Sequence, residues 1–281
     1  MPSSPRRAAR SKPPDLLVAA PEAIGARHPE AKRLRALLRD PSARRAEGRF
    51  VLEGPRLVAD ALTRSAPLDA VYFGLNSRRA FAGLVADVER AGVPVRDLKD
   101  GVLERLMTTR TPQPVLAVAP IPSAPALDAL PPGLVVLTAG VSDPGNLGTI
   151  VRSAEAAAAV AVVAAGGVDP WNPKVVRASA GSVLGVPVVA VDDAGTAVGV
   201  LRAGGRRPLG AAGDVDASYL ETDLTGSVVL VVGSEAHGIP DDVRAALDGV
   251  VSIPMAGAVE SLNAAVATSV LLFEAARQRA R

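Results

Sequence analysis

Continuous apolar runs, separated by segments of helical periodicity, fill the second half of the chain. Five runs are continuously apolar except for Thr138 and Ser252, instead of alternating with polar residues, at 134–138, 160–164, 186–191, 228–232 and 250–253. Helices are predicted at about 147–158, 174–180, 194–203, 240–247 and 261–279. A strand without a polar face is buried on both sides, which is typical of a parallel sheet covered by helices. The pattern therefore predicts an α/β domain with a parallel sheet over residues 133–281.

The first half carries a smaller α/β pattern over residues 26–120. Strands are predicted at 50–52, 70–73, around 95 and at 115–119, and helices at about 29–39, 56–65, 79–91 and 99–107. Pro and Ala dominate residues 121–132, which predicts a linker, and residues 1–25 predict a disordered basic tail. The tail lacks the apolar core of a signal peptide, and no run of about 18 or more apolar residues occurs elsewhere. A cytoplasmic protein without a membrane span is therefore expected.

Cysteine is absent, and only two histidines occur, His28 and His237. These counts exclude a disulfide framework, a thiolate zinc site, an iron–sulfur cluster and a cysteine nucleophile. They also exclude a site with several histidine ligands, so no metal is expected.

The basic residues are concentrated at the N-terminus, although the whole chain has a formal net charge of only +2. Residues 1–49 contain 12 Lys+Arg and 5 Asp+Glu, a balance of +7, and the remainder contains 19 and 24, a balance of −5. Most of the basic residues are Arg, whose planar fork binds two phosphate oxygens at once. The N-terminal region is therefore a candidate phosphate-binding surface, or simply a solvated basic helix.

Three loops follow predicted strand ends, where ligands bind in open α/β sheets. The first loop, 142–149, leads into a small, apolar helix whose charged residues are Arg152 and Glu155. Asn146 in this loop is either a helix N-cap or a functional amide. Arg152 is either an i,i+3 partner of Glu155 or a functional cation.

The second loop, 233–238, has the outline G-x-x-x-x-G of a phosphate loop. Ile239 and Pro240 stand where that motif needs Lys and Ser or Thr, so an ATPase of the Walker type is rejected. Glu235 is expected to accept hydrogen bonds from neighbouring backbone N–H groups, and His237 is expected to be a surface turn residue.

The third loop, 253–260, leads into the final helix, for which Ser261 is the predicted N-cap. Asn263 lies at the start of a mostly apolar helix, so its amide is expected to bond a specific partner. No G-x-G-x-x-G follows the strand at 134–138 and no G-x-S-x-G is present, which disfavours a Rossmann dinucleotide site and a serine hydrolase.

Together the three loops resemble the three motifs of the SpoU/TrmH family of RNA ribose 2′-O-methyltransferases. The matching sequences are DPGNLGTIVRSA at 143–154, VVGSEAHGIP at 231–240 and IPMAGAVESLNAAVATSVLLFEAARQ at 253–278. The stretch 172–181 resembles a further family segment, and residues 50–73 resemble the small ribosomal-protein-like domain that precedes the catalytic domain in many members. One departure is Ser234, where many members have Asn.

The resemblance implies a SPOUT domain with a deep trefoil knot, which binds S-adenosylmethionine and pairs with a second copy as a homodimer. By position it implies cofactor contacts at Val232, Gly233, Ile253, Met255 and Leu262. The implied catalytic residues are Asn146, Arg152, Glu235, Ser261 and Asn263. In this context the basic residues become candidates for RNA binding, namely Arg27, Lys32, Arg33, Arg35, Arg39, Arg44, Arg45, Arg49 and Arg177.

The function that follows from the resemblance is methyl transfer to a ribose 2′-hydroxyl, with 23S ribosomal RNA as the expected substrate. Two alternatives stay open. The substrate is either ribosomal RNA or transfer RNA, and the chain is either an enzyme or a non-catalytic RNA-binding or ribosome assembly factor.

Overall fold

Two β-sheets organise the protein, and each is formed by a different part of the chain. The computed structural model describes residues 23–108, 113–213 and 217–280. We call residues 23–120 the N-terminal lobe and residues 133–280 the C-terminal lobe. The predicted tail, 1–25, lies outside the described residues except for its last three, of which Ile24 forms a parallel bridge to Leu98.

The N-terminal lobe is built on a four-stranded mixed sheet in the order β1-β4-β2-β3. Its strands are β1 (Arg49–Glu53), β2 (Ala70–Gly74), β3 (Val95–Leu98) and β4 (Val115–Pro120). Strand β4 is antiparallel to β1 and β2, whereas β2 and β3 are parallel. The helices are α1 (Pro29–Arg39), α2 (Pro41–Glu47), α3 (Pro55–Thr63), α4 (Ala82–Arg90) and α5 (Val102–Leu106).

Helix α1 separates apolar and basic residues onto opposite faces. Pro29 occupies the first turn and the His28 side chain accepts a hydrogen bond from Glu30 N, so the helix begins where its free N–H groups are capped. Leu34, Leu37 and Leu38 are buried in the lobe, and the remaining face carries exposed basic side chains, Lys32, Arg35 and Arg39. Helix α2 was not predicted, because its sequence PSARRAE offers no apolar stripe and Arg44 is the residue that it buries.

The C-terminal lobe contains the predicted parallel sheet, in the order β10-β8-β9-β5-β6-β7. The strands are β5 (Leu134–Ala139), β6 (Ala161–Ala165), β7 (Val188–Val191), β8 (Arg207–Ala211), β9 (Val228–Gly233) and β10 (Gly249–Val251). The helices are α6 (Pro144–Ala156), α7 (Pro173–Ala178), α8 (Ala194–Ala203), α9 (Asp241–Ala245) and α10 (Ala264–Arg279). The α/β class is therefore confirmed, while the trefoil knot stays a prediction.

Strand β8 was missed from the sequence, although it lies between β9 and β10. It contains Pro208, which lacks a backbone donor, and Gly210, and both residue types are disfavoured inside strands. The parallel partner strands override this weak local preference, and the Pro208 carbonyl accepts a hydrogen bond from Asp248 N at 2.9 Å.

The two lobes are packed on each other, and the segment between them is held in place. Residues of both lobes share one apolar cluster, in which the rings of Phe50 and Trp171 lie 5.0 Å apart. The Arg206 guanidinium donates to the carbonyls of Leu130 and Pro131 at 2.6 and 2.7 Å, which fixes the end of the predicted linker 121–132 to the C-terminal lobe. Within the described ranges, no helix is long and apolar enough to span a bilayer.

Candidate active site

A cavity of about 490 Å³ opens at the carboxyl ends of β8, β9 and β10. Its walls come from the loop after β8, the loop after β9, and the segment that joins β10 to α10. All five predicted cofactor residues line it, Val232, Gly233, Ile253, Met255 and Leu262, together with Glu235, Ser261 and Asn263. The structure thus gathers residues that are up to 31 positions apart in the sequence.

The loop after β9 is tight, and Gly233 makes it possible. Ser234 and Gly238 exchange two backbone hydrogen bonds at 3.0 and 2.9 Å, which brings Gly238 back over the end of the strand. A Cβ built on Gly233 would overlap the Gly238 carbonyl group. His237 is exposed in this turn, as predicted.

Three of the predicted catalytic side chains form one hydrogen-bonded chain at the cavity. The Asn146 amide Nδ2 donates to Glu235 Oε1, and the Asn263 amide Nδ2 donates to Asn146 Oδ1 at 3.0 Å. Asn263 Oδ1 accepts from the backbone N–H groups of Ala265 and Val266 at 2.9 and 3.2 Å. Each of the two amides is therefore oriented by both a donor and an acceptor. The series of hydrogen bonds joins residues from all three sequence motifs.

The helix caps differ from those predicted. Asn263, and not Ser261, is the N-cap of α10, and Ser261 is exposed at the cavity wall. Asp143, and not Asn146, is the N-cap of α6, and its Oδ1 accepts from Asn146 N at 2.8 Å. This hydrogen bond, aided by Lys174, lowers the pKa of the Asp143 carboxyl group. Glu235 binds a side-chain amide where backbone N–H partners were expected.

Two of the predicted catalytic residues, Asn146 and Arg152, do not line the cavity, and of these Arg152 also lies outside the hydrogen-bonded chain. It lies six residues after Asn146, which is about 9 Å along the helix axis, and its side chain is exposed. Glu155 does not pair with it, because Glu155 binds Arg64 of the N-terminal lobe through two hydrogen bonds of 2.7 and 3.3 Å. The i,i+3 interpretation of Arg152 is therefore wrong.

The nine candidate RNA-binding residues divide into two groups. In the residues that the structure describes, Arg27, Lys32, Arg35, Arg39 and Arg45 are exposed and have no ion-pair partner. The other four are paired: Arg33 with Glu30 and Glu47, Arg44 with Asp169, Arg49 with Asp69, and Arg177 with Glu53.

Arg44 and Arg177 connect the lobes instead of facing solvent. The Arg44 side chain is 2% exposed, lies 2.6 Å from Asp169 Oδ2 and donates to the Leu37 carbonyl at 2.7 Å. Arg177 binds the buried carboxylate of Glu53, and burial lowers its pKa. A guanidinium held in this way is not available to a phosphate, so the expectation of RNA contact at Arg44 is corrected to a structural role.

The sequence did not indicate several residues that shape the site. Ala211 at the end of β8 and the next two residues, Ala212 and Gly213, line the cavity, but the sequence does not indicate this strand. Gly148 lies within the first motif but has no predicted role of its own. A Cβ on it would lie 2.6 Å from the Val175 carbonyl oxygen, so α6 and α7 can approach closely only with glycine there. The signal for Asp143 was present, since Asp before Pro is typical of an N-cap followed by the first helical residue.

The same fold occurs in solved methyltransferase structures. The SpoU methyltransferase AviRb from Streptomyces viridochromogenes, in complex with the cofactor AdoMet, superimposes with a TM-score of 0.80 and 31% sequence identity. The match covers 90% of this chain and 98% of that one. The similarity thus extends over both lobes and includes a protein with bound S-adenosylmethionine.

The cavity fits that cofactor. Its volume is within the range of about 300–1,000 Å³ that is usual for small-molecule sites. Ile253, Met255 and Leu271 offer apolar surface for a purine ring, and Leu262 is 37% exposed at the wall although it is apolar. Glu235 and Glu260 bring negative charge to a site for a sulfonium cation. The lining residues therefore fit S-adenosylmethionine, the cofactor in the AviRb complex.

Sequence comparison agrees with the structural match. Residues 133–273 match the SpoU rRNA Methylase family and residues 28–117 match an MRM3-like substrate binding domain. The 23S rRNA (guanosine-2′-O-)-methyltransferase RlmB of Xanthomonas axonopodis is 46% identical over 147 residues, which are 52% of this chain and 59% of that protein. A protein of Mycobacterium ulcerans named as an uncharacterized tRNA/rRNA methyltransferase is 35% identical over 274 residues, covering 90% of this chain and 84% of its own length. The chain therefore belongs to the SpoU rRNA methylase family.

Proposed function

We propose that this protein is an S-adenosylmethionine-dependent enzyme that methylates a ribose 2′-hydroxyl of 23S ribosomal RNA. The observation that carries the proposal is the chain of hydrogen bonds Glu235–Asn146–Asn263 at the mouth of the cavity. A protein that only bound RNA would have no need for three oriented polar side chains beside a cofactor pocket. Action on ribosomal RNA would place the protein in the cytoplasm.

The site's contribution to the reaction is alignment. Bound S-adenosylmethionine supplies a methyl group on a positively charged sulfur. Displacement at that methyl group requires the attacking oxygen to approach in line, so residues that fix the ribose account for much of the acceleration. Asn146 and Asn263 are suited to this task because their amides are already oriented in the structure.

Arg152 is suited to binding the RNA backbone. A guanidinium stays protonated at neutral pH, so it does not serve as the base that removes the hydroxyl proton. It can hold a phosphate next to the reacting ribose and polarise the hydroxyl group. Its exposed side chain, with no ion-pair partner among the described residues, is free to do so.

The exposed cations of α1 and α2 support an RNA substrate. Lys32, Arg35 and Arg39 lie at i, i+3 and i+7 on α1, so they share one face, and Arg45 follows on α2. Such a surface binds phosphates without reading the sequence, and its affinity falls steeply with salt. The match of residues 28–117 to a substrate-binding domain supports the same role for this lobe.

We further propose that a second copy completes the site. Asn146 and Arg152 leave α6 on different faces, so one chain does not direct both side chains at the same point. The helix α10 beside the cavity exposes Val266 and Phe273, which are 48% and 53% exposed and seven residues apart on one face. A homodimer formed through this face would cover the apolar side chains and bring Arg152 of the partner subunit to the cavity.

Mapping of 2′-O-methyl groups tests the proposed function. We expect one nucleotide of 23S ribosomal RNA to lose its methyl group in cells that lack the gene, and purified protein with labelled S-adenosylmethionine to restore it. Methylation confined to transfer RNA would contradict the assigned substrate and favour the alternative. If the protein bound cofactor and RNA but transferred no methyl group, it would be a binding factor and the proposal would be wrong.

A further inference from the structure

Two faces of helix α6 make different contacts. Asn146 and Ser153 are seven residues apart on one face, where Asn146 binds Asn263 and Ser153 Oγ lies 2.7 Å from Ser269 Oγ of α10. Gly148, Arg152 and Glu155 follow the spacing i, i+4, i+7, so they share another face. Gly148 is packed against α7, and Glu155 binds the N-terminal lobe. Arg152 therefore lies between two fixed contacts.

The contact at Glu155 is built into the interface between the lobes. Both Glu155 oxygens accept hydrogen bonds from Arg64, which follows α3. Burial alone would raise the pKa of Glu155, but the hydrogen bonds from Arg64 and Ser182 outweigh burial and lower it. The pair lies directly over Gly185, where a Cβ would overlap Glu155 Oε1 and Arg64 Nη1. Glycine at this position leaves room for the ion pair.

Two more ion pairs hold α7, the helix that supports Gly148. Arg44 binds Asp169 just before α7, and Glu53 binds Arg177 within it. Glu53 is also fixed by Thr108, whose backbone N and Oγ1 donate at 2.7 and 2.8 Å.

The signs of these charges alternate across the interface. The N-terminal lobe presents a cation, an anion and a cation, at Arg44, Glu53 and Arg64. The C-terminal lobe presents the opposite charge at each place. Pairing Arg44 with Arg177, or Glu53 with Glu155, would put like charges together, so the pattern disfavours those alternative dockings of the lobes.

We propose that Glu155 is a positioning residue for Arg152, acting through its ion pair with Arg64. The pair fixes the rotation of α6 relative to the RNA-binding lobe, so that RNA held by that lobe meets the Arg152 guanidinium at a set distance and angle. The inference rests on the proposed function for the role of Arg152. The docking of the lobes stands on the ion pairs themselves.

A glycine pair and a charge exchange test the inference in the full-length protein. Gly185→Ala displaces the ion pair without changing a charge, and its matched control is Gly199→Ala, an exposed helical site where a Cβ meets no atom within 4 Å. Arg64→Glu and Glu155→Arg each break the pair, and the double variant restores it with the charges exchanged. The measurements are kcat and KM for RNA, the affinity for S-adenosylmethionine, and hydrogen exchange of the α6 amides.

We expect Gly185→Ala and both single charge variants to lower kcat by about tenfold to a hundredfold, the cost of a small misplacement near reacting groups. Cofactor affinity should not change, because no cavity residue contacts Glu155 among the described contacts. The double variant and Gly199→Ala should behave like the parent. A purely structural role would predict loss of cofactor affinity together with kcat.

Three results would overturn the inference. They are an unchanged kcat in the single charge variants, a kcat of the double variant no higher than that of the two single variants, and equal kcat values for Gly185→Ala and Gly199→Ala. If the parent protein methylates no RNA, the proposed function fails, and hydrogen exchange alone decides on the ion pair. Faster exchange in α6 of the single variants and recovery in the double variant would then support positioning by Glu155. Unchanged exchange would contradict it.

Discussion

The cavity and the basic surface of α1 and α2 hold their polar groups in opposite ways. At the cavity, Asn146, Glu235 and Asn263 bind one another, so their orientations exist before any substrate arrives. On the basic surface, cations such as Lys32, Arg35 and Arg39 extend into solvent without partners in the described part of the chain. The first arrangement favours precise chemistry and the second favours adaptable, long-range attraction. Arg152 combines the two, since it is exposed like the second group but mounted on a fixed helix.

The largest effect should come from Arg152→Ala. Removing one hydrogen-bond donor that stabilises the reacting groups can lower kcat by about a hundredfold to a thousandfold, and we expect a loss of that size here. S-adenosylmethionine affinity should be retained, because Arg152 does not line the cavity of its own subunit and its proposed ligand is an RNA phosphate, not the cofactor. Single-turnover methyl transfer and calorimetric titration of the cofactor measure the two quantities. An equal collapse of cofactor affinity would show that the assignment is wrong.

A mixture of two inactive variants tests the proposed homodimer and the site that its two subunits would share. Asn146→Ala and Arg152→Ala should each be inactive alone. When the two proteins are mixed and allowed to exchange subunits, a hybrid dimer contains one site with both native residues, so activity should return. If mixing restored nothing while exchange was demonstrated by mass spectrometry, each chain would have to supply its own Arg152.

The next contrast lies within the basic residues. Arg44→Ala should lower the free energy of unfolding by about 3 kcal/mol, because it leaves Asp169 without its buried partner. The triple variant Lys32→Ala/Arg35→Ala/Arg39→Ala should instead leave stability nearly unchanged, weaken RNA binding and reduce the slope of log affinity against log salt by about two to three. Urea unfolding and RNA titrations at several salt concentrations distinguish the two outcomes.

Arg45→Ala is the matched control for Arg44→Ala, since the two residues are neighbours on α2 and Arg45 is exposed. Its effect on stability should be within about 0.5 kcal/mol, as for other surface positions. Deleting residues 1–49 would not test RNA binding alone, because the deletion would also remove Leu34, Leu37 and Leu38 from the buried core. If Arg44→Ala reduced the slope of log affinity against log salt as much as the triple variant does, Arg44 would contact the RNA and its structural assignment would be wrong.

The smallest effect concerns pH. The pKa of Glu155 is lowered in the folded protein from its ordinary value of 4.5, so its ion pair adds stability above that value and loses it as the pH falls through the lower, folded value. Both side chains are partly exposed, so Glu155→Gln should cost only about 0.5 kcal/mol at pH 7. This difference should shrink below about pH 4 in urea unfolding. A difference that grew with acidity would contradict the lowered pKa.

Much of the C-terminal lobe could be predicted because its signals are local. Five of its six strands are runs of apolar residues, and the three motif loops follow directly from them. The cavity residues were indicated by the resemblance of these loops to the family's motifs, and the local signals alone predicted only helix caps and turns. Strand β8 could not be found, because Pro208 and Gly210 oppose a strand locally and only neighbouring strands stabilise it.

Ion pairs were the least predictable feature. Arg44 and Arg45 are adjacent and identical in type, yet Arg44 is buried against Asp169 and Arg45 is exposed. Asp169 lies 125 residues away from Arg44 in the sequence, so local spacing does not reveal the pair. The same is true of Glu155, whose partner Arg64 is 91 residues away, so the nearby Arg152 was an incorrect local choice. Sequence spacing reveals partners within a helix, but it does not reveal those that tertiary packing brings together.

The position of Asn263 in the sequence determines when the site can form during synthesis of the polypeptide. It starts the last described helix of the chain and also orients Asn146, which lies 117 residues earlier. During synthesis, the strands and the first motif emerge from the ribosome well before α10 does. Until that helix has formed, Asn263 has no fixed position and the hydrogen bonds Glu235–Asn146–Asn263 are incomplete. A nascent chain in which α10 (Ala264–Arg279) has not yet formed should therefore lack this set of hydrogen bonds, and the proposed methyl transfer should begin only after that helix has been made.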